Sequence, residues 1–318
     1  MKKIIERIER EAGVTGLVTI LAERLSPTDL QSLLLEVYRL RSQRLRPPTV
    51  LQNYETDRFV RPSPVSPLQL LAWEQVIFSQ LPDEFEAMAL SAVCPLGTNS
   101  VVAPVDQNWA ISTARNSEVV SDSSNVLALE CALRRRELLR SNPKSAQPVH
   151  LATSHRLVRA QQYKSPHLSA HFASFVLCSA GRDGGDFRFE LAALRLHIGI
   201  YLRALREFLG PNVRLHVTIT DFKRSTNQKS LESDLLTPIR DEFQFVECEF
   251  DNDRTRGRGY YLDFAFLIHA SASPRHRIEL VDGGSVDWTQ QYLSNAKERL
   301  VISGLGSERL CQESCEDA

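Results

Sequence analysis

The chain has 318 residues, with 38 Lys and Arg against 39 Asp and Glu, a formal net charge of -1. Hydrophobic residues make up 42% and charged residues 24%, ordinary usage for a soluble globular protein, which excludes a collagen, a coiled-coil rod and a disordered tail. A protein that lives by neutralising phosphates carries a large basic excess, so nucleic acid is not the expected partner, and the length suits two domains or one large one.

Residues 1 to 60 read as helical. The run Gly13 to Ala22 is apolar but far shorter than a bilayer span, and Glu6, Glu9 and Glu11 precede it where a signal peptide wants net positive charge. Ser26-Pro27-Thr28-Asp29 is a helix start, with a cap, a first-turn proline and an early acid. Leu30, Leu33, Leu34, Val37 and Tyr38 then form one apolar stripe. Arg39, Arg41, Arg44 and Arg46 crowd the end of that helix as a solvated last turn, and Pro47-Pro48 is expected to stop it. Pro62, Pro64 and Pro67 punctuate a linker, which divides the chain into a helical extension, 1–65, and a main domain, 66–318.

A helix is expected over Pro67 to Leu81, with Leu70, Trp73 and Ile77 on one side. Phe172 to Cys178 reads as a buried strand. A long helix follows through Leu191, Leu194, Ile198, Tyr201 and Leu205. Val213, Leu215, Val217 and Ile219 alternate with polar neighbours as a strand. Further strands are expected over Tyr260 to His269, Ile278 to Val281 and Leu300 to Ser303. Strands in runs, without strict alternation with helices, predict an α+β domain with a mostly antiparallel sheet. Asp183-Gly184-Gly185-Asp186 reads as a turn. Six scattered cysteines, at 94, 131, 178, 248, 311 and 315, form no Cys-x-x-Cys pair. They suit a reducing cytoplasm rather than zinc.

Four stretches stand in a meaningful order. His155 to Gln161 is a polar loop ahead of His171-Phe172-Ala173-Ser174-Phe175. Arg256-Gly257-Arg258-Gly259-Tyr260-Tyr261 opens a strand. Glu279 to Asp287 holds Gly283-Gly284. Ser303-Gly304-Leu305-Gly306-Ser307-Glu308-Arg309-Leu310 sits at a strand-to-helix junction. Together, over residues 68–318, they resemble the catalytic core of the class II aminoacyl-tRNA synthetases, in the histidyl-tRNA synthetase branch. The resemblance implies an antiparallel sheet flanked by helices. It also implies a homodimer built on Leu70 to Leu90, with ATP and Mg2+ as cofactors.

By that resemblance Arg159 and Arg256 are catalytic, gripping the α-phosphate while pyrophosphate leaves. Arg309 reaches for the γ-phosphate. Gly304 and Gly306 let backbone approach the nucleotide. The substrate site is drawn from Asp122, Ser174, Cys178, Tyr260, Tyr261, Gly283 and Gly284. Asp122, in Ser121-Asp122-Ser123-Ser124, either receives a substrate ammonium or is a plain helix cap. Arg115 to Glu118 either lines the same pocket or is a hairpin edge. A cysteine in an apolar strand is ordinarily a small buried residue, and Cys178 carries that reading too. His167 and His171 are four apart without a third ligand at metal spacing, so no metal site is expected.

The pattern also departs from the family. Nine residues follow Arg309, which leaves no room for an anticodon-binding domain. The motif 2 glutamate is replaced by Gln161. Ser174 and Cys178 stand where the family grips its amino acid with glutamine and glutamate. Two functions are expected from this. One is ATP-dependent activation of an amino acid or small carboxylate, for a protein or carrier acceptor other than anticodon-read tRNA. The other is a non-catalytic subunit like the regulatory subunit of ATP phosphoribosyltransferase.

Overall fold

The computed structural model describes residues 1–161, 169–223, 231–273 and 276–316. The N-terminal part forms α1 (Lys2–Ala12), α2 (Pro27–Ser42) and α3 (Pro47–Thr56), and none of the three has a buried residue. The Ser26 hydroxyl accepts from the Asp29 amide at 3.1 Å and starts α2. Pro47-Pro48 does not merely stop a helix. It occupies the first turn of α3, where the missing N–H costs nothing. The stripe on α2 stays partly open to solvent at Leu33, Val37 and Tyr38.

The helix α4 (Pro67–Ser79) buries Trp73 and Ile77 completely. The side bearing Trp73 and Ile77 is covered by the chain's own core. The exposed apolar residues of α4 are Leu68 and Leu71. The remaining elements are β1 (Phe85–Ala87), β2 (Val93–Pro95), β3 (Ser117–Val119), α5 (Ser123–Ser141), β4 (Val149–Val158), β5 (His171–Arg182), α6 (Arg188–Leu209), β6 (Arg214–Asp221), α7 (Thr237–Glu242), β7 (Val246–Phe250), β8 (Phe264–Ser273), β9 (His276–Val286), α8 (Trp288–Leu293), β10 (Glu298–Leu305) and α9 (Ser307–Glu316).

Eight strands make one sheet in the order β1-β4-β5-β10-β9-β8-β6-β7. Only the outer pairs β1–β4 and β6–β7 are parallel. The strand predicted from Tyr260 begins at Phe264, and Arg256 to Tyr261 form a turn ahead of it. On β6 the polar set His216, Thr218 and Thr220 is buried as well as the apolar set, so the alternating pattern does not mark a solvent face. Helices cover both faces of the sheet. One core joins α4 and α6 to Phe175, Val217, Phe266 and Val301. The other joins α5 and α8 to Leu151, Val176, Ala265 and Ile302. No helix among the described residues is long and apolar enough to cross a membrane.

Two buried polar systems lock these layers. Arg135 of α5 and Glu298 of β10 are both 0% exposed and meet through two hydrogen bonds, at 2.7 and 2.9 Å. Arg135 also donates to the carbonyls of Ser145 and Gln147. On the opposite face, His150 Nδ1 meets Ser179 Oγ at 2.7 Å and Ser179 Oγ meets His197 Nε2 at 2.8 Å. His197 Nδ1 meets Ser303 Oγ at 2.8 Å.

Removing one member of a buried pair strands the other charge. Arg135→Met is therefore expected to cost about 3–5 kcal/mol in urea unfolding, far more than Arg134→Met at the surface. Acid acts through the histidines. Burial pushes the His197 imidazole down to about 3 and lowers His150 as well. Below the ordinary histidine value near 6.5 the unfolded chain then binds more protons than the folded one. Stability should fall as pH drops from about 6.5 toward 3, and His197→Gln should flatten that slope in pH-resolved thermal melts.

Candidate functional site

A cavity of about 920 Å³ opens on the face of the sheet that α5 covers. Its floor is a row of neighbouring residues across the strands, with Val176 beside Gly304 and Gly304 beside Asp282. Because the middle member has no side chain, the floor is open there. A Cβ on Gly304 would meet Val176 Cγ2 at 3.6 Å, ordinary contact, so the fold tolerates a side chain that the cavity would not. Gly306 is similar, with Arg309 Cβ at 3.5 Å.

Asp122 does two jobs at once. Its Oδ1 caps α5, accepting from the Ser124 amide at 3.0 Å and the Ser124 hydroxyl at 2.7 Å. Its Oδ2 lies 3.2 Å from the Arg159 guanidinium. The cap is present, and the carboxylate also lies on the cavity, where it faces Arg159. Arg159 also donates to the Ser121 carbonyl at 2.7 Å and lies over the Phe172 ring. The wall before α5 is set by Glu118, fully buried, which accepts from the amides of Gly97 and Asn99. Burial alone would raise its carboxyl, but these donors together with Gln107 and the Asn99 side chain outweigh it and hold the group below its ordinary value. Arg115 to Glu118 thus form a hairpin edge under the wall and do not line the cavity.

The opposite wall is the turn from Arg256 to Tyr261. Gly257 has φ of +86°, and a Cβ there would lie 2.9 Å from the Tyr261 ring, so glycine is required. Arg256 is bonded to Glu279 at 2.7 Å and lies 3.8 Å from Asp282. Arg254, buried behind it, holds Asp282 at 2.9 Å and donates to the Arg256 carbonyl at 2.8 Å. Burial pushes the Asp282 carboxyl up, against the pull of Arg254 and Arg256. Tyr260 packs edge-on against Trp288 and Tyr261, and burial raises both tyrosine hydroxyls well above their ordinary value. At the start of α9, Glu308 is paired with Arg156, while Arg309 is exposed at the cavity rim.

The cavity brings together Asp122, Arg159, Ser174, Arg256, Tyr260, Tyr261, Gly304, Gly306 and Arg309. It does not include Cys178, Gly283 or Gly284. Cys178 lies farther along β5, sealed beneath α5 with its thiol 3.7 Å from the Ser124 carbonyl, and burial raises that thiol well above its ordinary value. Its thiol does not reach the cavity. Gly283 faces the other core, where a Cβ would lie 2.5 Å from both Phe266 and Ser303. At Gly284 a Cβ would collide with the Phe264 carbonyl at 2.4 Å and with Tyr261. Both glycines serve packing. His167 lies outside the described residues, and His171 is spent on Arg156 and the Arg61 carbonyl.

Charge in the cavity follows one rule. Each carboxylate on its wall already faces an arginine: Asp122 with Arg159, Glu279 with Arg256, Asp282 with Arg254, Glu308 with Arg156. Arg258 and Arg309 line it without a carboxylate partner among the described residues. The free charge on offer is therefore positive and sits at the rim, suited to an anion. Arg258 at the rim, and Arg254 behind Asp282, were not legible in the sequence, since nothing in an arginine-rich turn says which guanidinium is buried. No group of three His, Cys, Asp or Glu side chains is placed to hold a metal among the described residues.

No family model matches the sequence, and no curated protein does. Solved structures do match by shape. An ATP phosphoribosyltransferase regulatory subunit/histidyl-tRNA synthetase from Bacillus halodurans shares 11% identity at a TM-score of 0.58, over 79% of this chain and 81% of that one. Apo histidyl-tRNA synthetase from S. aureus shares 15% at 0.55, over 80% and 68%. A histidine–tRNA ligase subunit from Alicyclobacillus acidocaldarius shares 13% at 0.54, over 80% and 96%. The fold is that of a class II aminoacyl-tRNA synthetase-like core.

The glycines separate by role in a stability series. Gly283→Ala and Gly284→Ala should each cost about 1–3 kcal/mol in urea unfolding, whereas Gly304→Ala should leave the midpoint nearly unchanged.

Proposed function

We propose that this cavity binds ATP beside a small carboxylate, such as an amino acid, and joins them as the acyl-adenylate for an acceptor other than anticodon-read tRNA. One observation carries the reading. Arg159, Arg256 and Arg309, from three separate segments, meet on a single cavity floored by Gly304. In the reaction a carboxylate oxygen attacks the α-phosphorus and the bond to pyrophosphate breaks, the pyrophosphate leaving with the electron pair. Negative charge grows on the phosphate oxygens, and preoriented guanidinium forks are the groups that stabilise it. Asp122 and Glu279 hold Arg159 and Arg256 in place beforehand. Phosphate oxygens would join or replace those carboxylates as acceptors, while Arg309 at the rim takes the outer phosphate.

A second reading is favoured by those same ion pairs. A site whose inner arginines are already satisfied can bind a small ligand without turnover, as a regulatory subunit would. In either reading the protein works in the cytoplasm, residues 1–65 form a helical extension to the core, and a homodimer would use the outer side of α4 at Leu68 and Leu71.

The two readings separate in one experiment: equilibrium binding of a non-hydrolysable ATP analogue, followed by ATP–pyrophosphate exchange with each of the twenty amino acids. The analogue should bind, and Arg309→Ala should weaken it by about 1.5–3 kcal/mol, roughly 10- to 150-fold. Exchange is expected with some amino acids and to be poor with histidine, whose imidazole finds few acceptors here. Binding without exchange selects the regulatory reading. Unchanged affinity in the Arg309 variant removes the nucleotide from both.

A further inference from the structure

Two polar side chains on the cavity wall carry a buried polar atom with no hydrogen-bond partner among the described residues. Asn125, in the first turn of α5, is 1% exposed, and its Nδ2 has no acceptor. Ser174 of β5 is 5% exposed, and its hydroxyl has no partner. Both line the cavity, among Leu157, Phe172, Val176 and Ile302. An unpaired buried polar group costs about 1–3 kcal/mol. Nothing in the packing compels that cost, because alanine fits wherever asparagine or serine does.

We infer that Asn125 and Ser174 are ligand-recognition residues, and that the ligand meets them with uncharged hydrogen-bonding groups, a hydroxyl or a carboxamide, rather than with a cation. The inference rests on the reading of this cavity as the site of a small carboxylate and names the class of that carboxylate. An amide N–H needs an acceptor oxygen, and a serine hydroxyl can donate or accept. Hydroxyl and carboxamide groups satisfy both demands. An ammonium or imidazolium could donate to Ser174 but brings no acceptor for Asn125. It also finds every carboxylate on the wall facing an arginine. The N-terminal end of α5, with its partial positive charge, points the same way. A fully ionised group is disfavoured as well, because two neutral partners do not compensate the loss of its hydration.

The test has a limb that needs no ligand. Asn125→Ala and Ser174→Ala each remove an unpaired buried polar group, so each should raise the thermal midpoint of the ligand-free protein, by about 1–3 °C. A residue kept for structure would give a lower midpoint instead. The second limb measures thermal shifts of the wild type with each of the twenty amino acids, with and without the non-hydrolysable ATP analogue. Serine, threonine, asparagine and glutamine should stabilise it more than lysine, arginine, histidine, aspartate or glutamate. That shift should be lost in both variants while the shift from the analogue alone persists. Lowered ligand-free midpoints in both variants, a preference for charged amino acids, or no shift with any of the twenty overturns the inference. A missing analogue shift in the wild type, with the amino-acid pattern intact, strikes only the nucleotide half of the proposed function.

Discussion

The fold hangs on one buried charge pair. Arg135 lies near the middle of α5 and Glu298 is the first residue of β10. Neither has water to fall back on, so each is stable only while the other is in place. The pair clamps the helix whose N-terminus forms one wall of the cavity to the strand whose far end forms its floor. Through the carbonyls of Ser145 and Gln147 it also fixes the turn that feeds β4, the strand immediately followed by Arg159. The floor of the site and the wall formed by the start of α5 are thus positioned from a point well outside the cavity.

Within that frame, electrostatics are arranged before anything binds. Four carboxylates and four arginines lie on or behind the wall in matched pairs. Guanidinium groups held in this way do not need to be ordered by a ligand, which lowers the entropic cost of using them. The pairing also suppresses any strong net field inside, so selectivity at the cavity's interior passes from charge to hydrogen-bond geometry and shape.

Much of this architecture was legible in the sequence. The glycine-arginine segments at 256–261 and 304–309 could be placed because their spacing is local and their backbone demands are severe. The strands and α6 could be read because period-2 and heptad-like patterns survive in short windows. The failures have a common cause in contacts that sequence does not display. Gly283 and Gly284 look like a ligand-binding turn, but which face of β9 they meet depends on register with β8 and β10. Cys178 sits on the correct strand and face, yet α5 roofs it over. Pro47-Pro48 ends one helix or begins another by the same chemistry. Asn125 is an unremarkable residue in a helix cap, and only its lack of a partner in three dimensions sets it apart. The edge strand β7 does alternate, with Val246, Cys248 and Phe250 against two glutamates, but five residues are a faint signal.

One contact outside the cavity has reach beyond its size. Arg58, which follows α3, donates to the carbonyls of Ala160 at 2.5 Å and Gln161 at 3.0 Å, immediately after Arg159. A segment from the N-terminal part is thereby spliced onto the backbone that carries a cavity arginine. Linkage is reciprocal. If occupation of the cavity tightens the backbone at 159–161, it strengthens the grip of Arg58 by the same factor, and whatever draws the N-terminal helices away loosens the cavity in return. The contact thus joins a residue just after the N-terminal helices to the same backbone that carries a cavity arginine.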